Sequence, residues 1–202
     1  MTDQYVLLTR TKEDSSELRT QLQEEGINSF ICPMLSIKPI DNNDFSLTAY
    51  LNNISGILIT SKHSVPLLPS ELKDVNIPIF SIGPETTNAL NNNGFSVTTT
   101  ATSSSASLKE CLDHFFKSTD IPQTQLLHFG GRHISDDFQL HIMGSEYSVK
   151  HIAIYEAVTN QTIPKEIKNM LIDSKVFLIT FYSARTASTF EELTRKSASQ
   201  IP

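Results

Sequence analysis

The sequence predicts an α/β protein with two parallel-sheet domains, and three observations carry that prediction. Short, continuously apolar runs alternate with capped segments of helical period, which is the pattern of strands covered on both faces by helices. Two extended, polar-ended stretches with prolines, "MLSIKPIDNND" (residues 34–44) and "YEAVTNQTIP" (155–164), break the alternation and read as two crossings between domains. The strand-and-turn phrases also recur in order: "LLTR", "FICPMLSI" and "ILITSKHS" are echoed by "LLHFGGRH", "HIAIYEAV" and "FLITFYSART". The first domain therefore takes residues 1–36 and 159–202. The second takes 37–158, with connector strands near 35–41 and 155–162.

Each element has a local reason. "YVLLT" (5–9) is apolar and β-prone, and Thr11 with Asp14 can form a capping box for the helix after it, which puts Leu18 and Leu22 on one face and ends at Gly26. "SFIC" (29–32) is the next strand, and a helix-like stretch around 49–51 leads to "GILIT" (56–60). Pro66 falls in the first turns of the following helix, which should be short or kinked. "IPIFSIG" (77–83) is a strand, Pro84 suits a first helical position and Gly94 a helix end, and "FSVTT" (95–99) is a short strand. Ser107 with Glu110 can cap a helix striped by Leu108, Cys111, Leu112, Phe115 and Phe116. "QLLHFGG" (125–131), a helical stretch to Gly144 and "YSVKHIAIYEAV" (147–158) continue the alternation. Thr162 and Pro164 open a helix carrying Ile167, Met170 and Leu171, and a strand at 176–179 follows.

Composition removes several function classes. At 39% hydrophobic and 19% charged, the 202 residues suit a globular chain of one large domain or two small ones. The net charge of −6 and the absence of any Lys/Arg run argue against a nucleic-acid surface. The start, "MTDQYVLLTRTKED", reads as neither a signal peptide nor a membrane span. Cys32 and Cys111 lie far apart and suit core positions in a reducing cytosol, and without a secretory signal the two N-x-S/T matches at Asn53 and Asn160 read as chance. The histidines show no metal-ligand spacing and read as structural or exposed, and no Walker loop, G-x-S-x-G or G-x-G-x-x-G occurs. A receiver-like phosphorylation domain would need paired acids after the first strand, where Thr9 and Arg10 stand.

The ordered set "LLTR", "CPMLSIKPI", "ILITSKHSV", "SIGPETTNALNNNGF", "HFGGR", "IAIYEAV" and "LITFYSARTA" resembles the uroporphyrinogen-III synthase family over nearly the whole chain. The resemblance implies two flavodoxin-like α/β domains joined by a two-stranded connector, the first built from both chain ends. It implies cyclisation of the linear tetrapyrrole hydroxymethylbilane with inversion of its last ring, by a monomer that uses no cofactor. The family continues with a second Gly-Pro-Thr-Thr-like turn and two more strands. The expectation is therefore a first domain of about three strands, incomplete at its C-terminus, with the strand at 176–180 as an apolar edge. The alternative is a non-catalytic binder of tetrapyrrole carboxylates in a cleft between domains, or a shortened, inactive homologue.

A substrate with eight carboxylates calls for donors, and this acidic chain has few clustered cations. Backbone N–H groups at helix starts, brought to the carboxyl ends of parallel strands, are the physical substitute. The turns at Arg10, at Ser61 and Lys62, at Gly83 and Thr86, and at Ser183 are the candidates. Each hydroxyl also has the plainer reading of a helix cap. Arg10, Lys62, Arg132 (after Gly131) and Arg185 could pair with carboxylates or with surface partners. Tyr155 matches the family's tyrosine beside the second crossing. It is expected either as general acid or orienter for the departing hydroxyl, or as a half-buried interface residue.

Overall fold

The computed structural model describes residues 4–41, 46–51 and 53–198. The chain divides into two compact units, one from the described residues up to Ile37 together with those from Ala157 onward, the other Lys38–Glu156. Residues 42–45, which include the end of the first expected crossing, lie outside the described residues.

The first unit has a three-stranded parallel sheet in the order β2-β1-β9, from β1 (Tyr5–Leu8), β2 (Ser29–Ile31) and β9 (Val176–Thr180). Helix α1 (Lys12–Glu24) starts where Thr11 Oγ1 accepts the Asp14 amide, at 3.3 Å. Helix α6 (Lys165–Ile172) buries Ile167 and Met170 against Leu7, Cys32 and Met34, and α7 (Ala184–Ala198) adds Leu193. Helix α6 begins after Pro164 with no side-chain cap, so the expected role of Thr162 does not materialise. Strand β9 lies at the end of the sheet and leaves Phe177 and Leu178 about half exposed, at 54% and 49%.

The second unit holds most of a six-stranded sheet in the order β3-β8-β7-β4-β5-β6: β3 (Leu35–Pro39), β4 (Ile54–Ile59), β5 (Ile79–Ile82), β6 (Thr99–Ala101), β7 (Gln125–Gly131) and β8 (Ser148–Thr159). Strands β4 to β8 are mutually parallel. Their side chains alternate between two cores. Ile57, Ile59, Leu127 and Phe129 face one, with Leu90 of α3 (Pro84–Asn92). Leu58, Phe80 and Leu126 face the other, with Leu108 and Leu112 of α4 (Ser105–Ser118) and Phe138 of α5 (Asp136–Phe138). The remaining helix α2 (Thr48–Leu51) is one turn long.

Two expected boundaries move for identifiable reasons. Helix α4 is capped by Ser104, not Ser107. Ser104 Oγ accepts the Ser107 amide and Ser107 Oγ accepts the Ser104 amide, both at 3.2 Å, so Ser107 fills the place given to Glu110 one box too late. Strand β6 begins at Thr99 and not at Phe95, because the Phe95 amide donates to Leu90 O at the end of α3. Pro66 sits inside a short 3-10 turn, Lys62–Leu67, as its missing N–H requires.

Strands β3 and β8 carry the chain between the units and run antiparallel. The Ile40 amide meets Ile154 O and the Asn160 amide meets Met34 O, so numbers rise on one strand as they fall on the other. Asn160 ties this pair together: its Nδ2 donates to Pro33 O (2.6 Å) and its Oδ1 accepts from Ser36 Oγ (2.7 Å). Asn160→Ala strands Pro33 O and Ser36 Oγ and is expected to cost about 1–3 kcal/mol in urea unfolding. Asn160→Asp, which keeps the acceptor and loses the donor, is expected to recover little of that; full recovery would assign the stability to the Ser36 bond alone.

Candidate functional site

A parallel sheet gathers the carboxyl ends of its strands along one edge, and in the second unit a cleft of about 310 Å³ opens there. Its walls come from the ends of β4 (Thr60, Ser61), β5 (Ile82) and β7 (His128, Gly131), from the turn before α4, and from Tyr155 on β8. Of the residues singled out from sequence, Ser61, Gly131 and Tyr155 therefore meet on one cleft.

The double glycine of "HFGG" explains how the rings fit. A Cβ on Gly131 would lie 2.8 Å from Cε2 of Tyr155 and 3.2 Å from its hydroxyl oxygen, so the tyrosine ring rests directly on bare backbone. A Cβ on Gly130 would lie 2.9 Å from two ring atoms of His128 and 3.3 Å from His151. A register shift between Gly130 and Gly131 sets Tyr155, not Ile154, opposite Gly131. Tyr155 O accepts the Arg132 amide at 2.7 Å, and the His63 ring meets Tyr155 edge-on at 6.2 Å between centroids. The half-buried Tyr155 hydroxyl has no hydrogen-bond partner among the described residues.

The sequence reads His128 and His151 as structural or exposed, and their joint placement is the part of the site that this reading misses. They are neighbours in register on β7 and β8, with Nδ1 to Nδ1 at 3.0 Å. His128 Nε2 lies 3.0 Å from Thr60 Oγ1, and His151 Nε2 lies 3.0 Å from Gly131 O. Phe138 stacks on His128 at 4.1 Å. Burial, then the neighbouring His151, pushes the His128 pKa down to about 3, and burial lowers that of His151 as well.

The helix starts along this edge differ in what they leave open. Ser61 Oγ accepts the His63 amide at 3.3 Å, the plainer of its two expected roles. The start of α4 is closed twice, by its Ser104–Ser107 box and by Asp137, whose Oδ2 accepts the Ser105 amide at 2.9 Å; hydrogen bonds from Ser105 hold that carboxyl below its ordinary pKa. Helix α3 has no side-chain cap. Gly83 stands before it at φ 79°, a conformation that favours glycine, and Pro84 brings no N–H. The Glu85 and Thr86 amides are left at the open end, and the hydroxyl of the largely buried residue Thr86 has no partner among the described residues.

The cations have protein partners. Lys62 Nζ meets Glu85 Oε2 at 2.7 Å, Arg132 meets Glu156 at 3.1 Å, and Arg185 donates to Ala157 O at 2.8 Å. In the first unit Arg10 pairs with Asp14 at 3.0 Å and lies over the Tyr182 ring, while Ser183 Oγ accepts the Thr186 amide at 3.2 Å and so caps α7. Among the described residues no group of three His, Cys, Asp or Glu side chains could hold a metal ion, and no helix is long and apolar enough to cross a membrane.

Two outcomes follow from this geometry. Gly131→Ala is expected to turn the Tyr155 ring away from the strand end and to cost about 1–3 kcal/mol by overpacking; a crystal structure of the variant with the ring unmoved would contradict it. The unfolded chain protonates His128 near pH 6.5, and the folded chain resists protonation down to about pH 3. The stability linked to His128 is thus full above pH 6.5 and lost as pH falls toward 3. Between pH 7 and pH 5, above the ordinary carboxylate range, urea unfolding should register a loss of roughly 2 kcal/mol. His128→Gln should flatten that slope.

A family profile described as uroporphyrinogen-III synthase HemD matches residues 16–201. No curated protein matches the chain. Two solved structures share its fold at 14% identity. One is a mutant uroporphyrinogen III synthase from the extremely thermophilic bacterium Thermus thermophilus, with TM-score 0.59 over 94% of this chain and 76% of that one. The other is uroporphyrinogen-III synthetase from Helicobacter pylori, with TM-score 0.58 over 94% and 78%. The profile match covers nearly the whole sequence, and on it the chain belongs to the uroporphyrinogen-III synthase family.

Proposed function

We propose that this protein binds hydroxymethylbilane and closes it to uroporphyrinogen III, in the cytosol, as a monomer and without a cofactor. The observation that carries the reading, beside family membership, is the Tyr155 hydroxyl: half-buried, unengaged by the described residues, and set on the cleft at the strand ends by Gly131. A phenol so placed can protonate the hydroxyl that leaves the bilane as water. The electron pair comes from the adjoining pyrrole nitrogen. The resulting azafulvene is attacked by the substituted carbon of the last ring, and the spiro intermediate reopens and recloses with that ring inverted. The protein's task is to hold the chain curled and to help the hydroxyl depart, and positioning alone is worth roughly 7–11 kcal/mol in favourable cases.

Substrate carboxylates have a matching site in the open start of α3, where the Glu85 and Thr86 amides, the Thr86 hydroxyl and the positive end of the helix all favour an anion. Lys62, shared with Glu85, lies beside it, and Arg132 and Ser61 flank the cleft. Arg10, Lys62 and Arg132 already hold protein carboxylates, which a substrate carboxylate would share or displace.

The test is conversion of freshly generated hydroxymethylbilane with separation of the type I and type III products. Type III is expected; type I alone, the spontaneous product, would overturn the synthase reading and leave at most a binder. Tyr155→Phe is expected to lower kcat on the order of 10²-fold with KM little changed. A normal rate in that variant would remove the acid role.

A further inference from the structure

The hydrogen bonds around the histidine pair can be satisfied in only one direction. Gly131 O is a carbonyl and can only accept, so His151 Nε2, 3.0 Å away, carries a proton. In the neutral ring His151 Nδ1 is then bare and accepts, and its donor is His128 Nδ1 at 3.0 Å. His128 Nε2 is bare in turn, and the group 3.0 Å from it is Thr60 Oγ1, which must donate. Burial keeps both rings neutral. The single Thr60 proton is committed inward, and the hydroxyl presents only lone pairs to the cleft that Thr60 lines.

We propose that Thr60 is a positioning residue that accepts a hydrogen bond from a pyrrole N–H of the bound tetrapyrrole, with His128 and His151 fixing its polarity. The proposal rests on the functional reading above and deepens it. Apart from the hydroxyl that departs, the tetrapyrrole offers two kinds of polar group: carboxylates on its rim, which only accept at neutral pH, and pyrrole N–H groups in its backbone, which donate. An accept-only hydroxyl disfavours the first and pairs with the second. The start of α3, whose free Glu85 and Thr86 amides donate, has the opposite preference. The two sites thus differ in polarity: Thr60, on the cleft, suits a pyrrole nitrogen, and the start of α3, outside the cleft lining, suits carboxylates. Gly130 leaves the room that the relay needs, and Phe138 holds the His128 ring plane.

The test has two parts. Long-range 15N–1H correlation spectra of the histidine-labelled chain at pH 7.5 are expected to show His128 protonated at Nδ1 and His151 at Nε2. The opposite tautomers would make Thr60 an acceptor from His128 and overturn the proposal. Binding is then measured with uroporphyrinogen III, kept reduced, whose pyrroles retain their N–H groups. Thr60→Val, close to isosteric, is expected to weaken binding about tenfold, while Thr60→Ser stays within about twofold of wild type. Circular dichroism of each variant checks the fold. If the wild type binds and Thr60→Val binds equally well, the proposal fails and the functional reading stands. If the wild type neither binds uroporphyrinogen III nor converts hydroxymethylbilane, the functional reading fails and takes this proposal with it.

Discussion

The polar chemistry of the second unit depends on the approach of three rings to bare backbone at Gly130 and Gly131. A strand buried on both faces has no room for aromatic or imidazole groups near its end unless side chains are missing there. Here they are missing at two successive positions, which point to opposite faces. One vacancy admits the histidine pair, the other the tyrosine. The same backbone then serves twice more: Gly131 O anchors the His151 proton, and the Arg132 amide holds Tyr155 O. Tyr155, His151, His128 and Thr60 are therefore not four independent placements. They follow from one local geometry on β7 together with the register that sets β8 beside it.

Charge explains why backbone matters more than side chains at this edge. The protein carries 22 acidic and 16 basic residues, and its own carboxylates occupy Arg10, Lys62 and Arg132. A cation already paired has part of its charge offset, and the net gain from an exposed pair is about 0–1 kcal/mol. Unsatisfied helix-start amides carry no such competition. Asp137 shows what an anion does at such a start: it takes the Ser105 amide, and its own carboxyl becomes more acidic. The start of α3 has the same donors with no internal anion seated on them by a side-chain cap.

Much of this is legible in the sequence, and the failures are instructive. The strands are visible because parallel strands buried on both faces are continuously apolar. Helix α3 is visible because Pro84 and Gly94 have conformational meanings that other residues lack. The start of α4 is not, because five hydroxyl residues from Thr102 to Ser107, broken only by Ala106, offer several equivalent capping registers, and Ser107 can play the part that a Glu usually plays. "FSVTT" looks like a strand because side-chain pattern does not reveal that the Phe95 amide is already committed to Leu90. Tyr155 and Gly131 are reached through the family resemblance, while the histidine pair is reached by neither route. His128 and His151 are far apart in sequence, and only the pairing of β7 with β8 makes them neighbours. The available signal is weak: a polar residue on an otherwise apolar inner face of each of two successive strands.

Polarity at the cleft is set by residues that need not touch a ligand. A threonine hydroxyl in water donates and accepts with equal ease and so discriminates little. Tied to a neutral histidine whose other nitrogen is tied in turn to a second ring anchored on a carbonyl, it loses that freedom and gains a sign. The open start of α3 has the opposite sign for an unrelated reason, the geometry of its unpaired amides. Tyr155, with an unengaged hydroxyl that can both give and take, is a group on the cleft whose role is left to the ligand. An asymmetric arrangement of this kind favours one orientation of a flexible polyanion over its reverse. On the reading proposed above, a substrate whose two ends must be brought together with one ring inverted would depend on that choice of orientation, since positioning alone is worth roughly 7–11 kcal/mol in favourable cases.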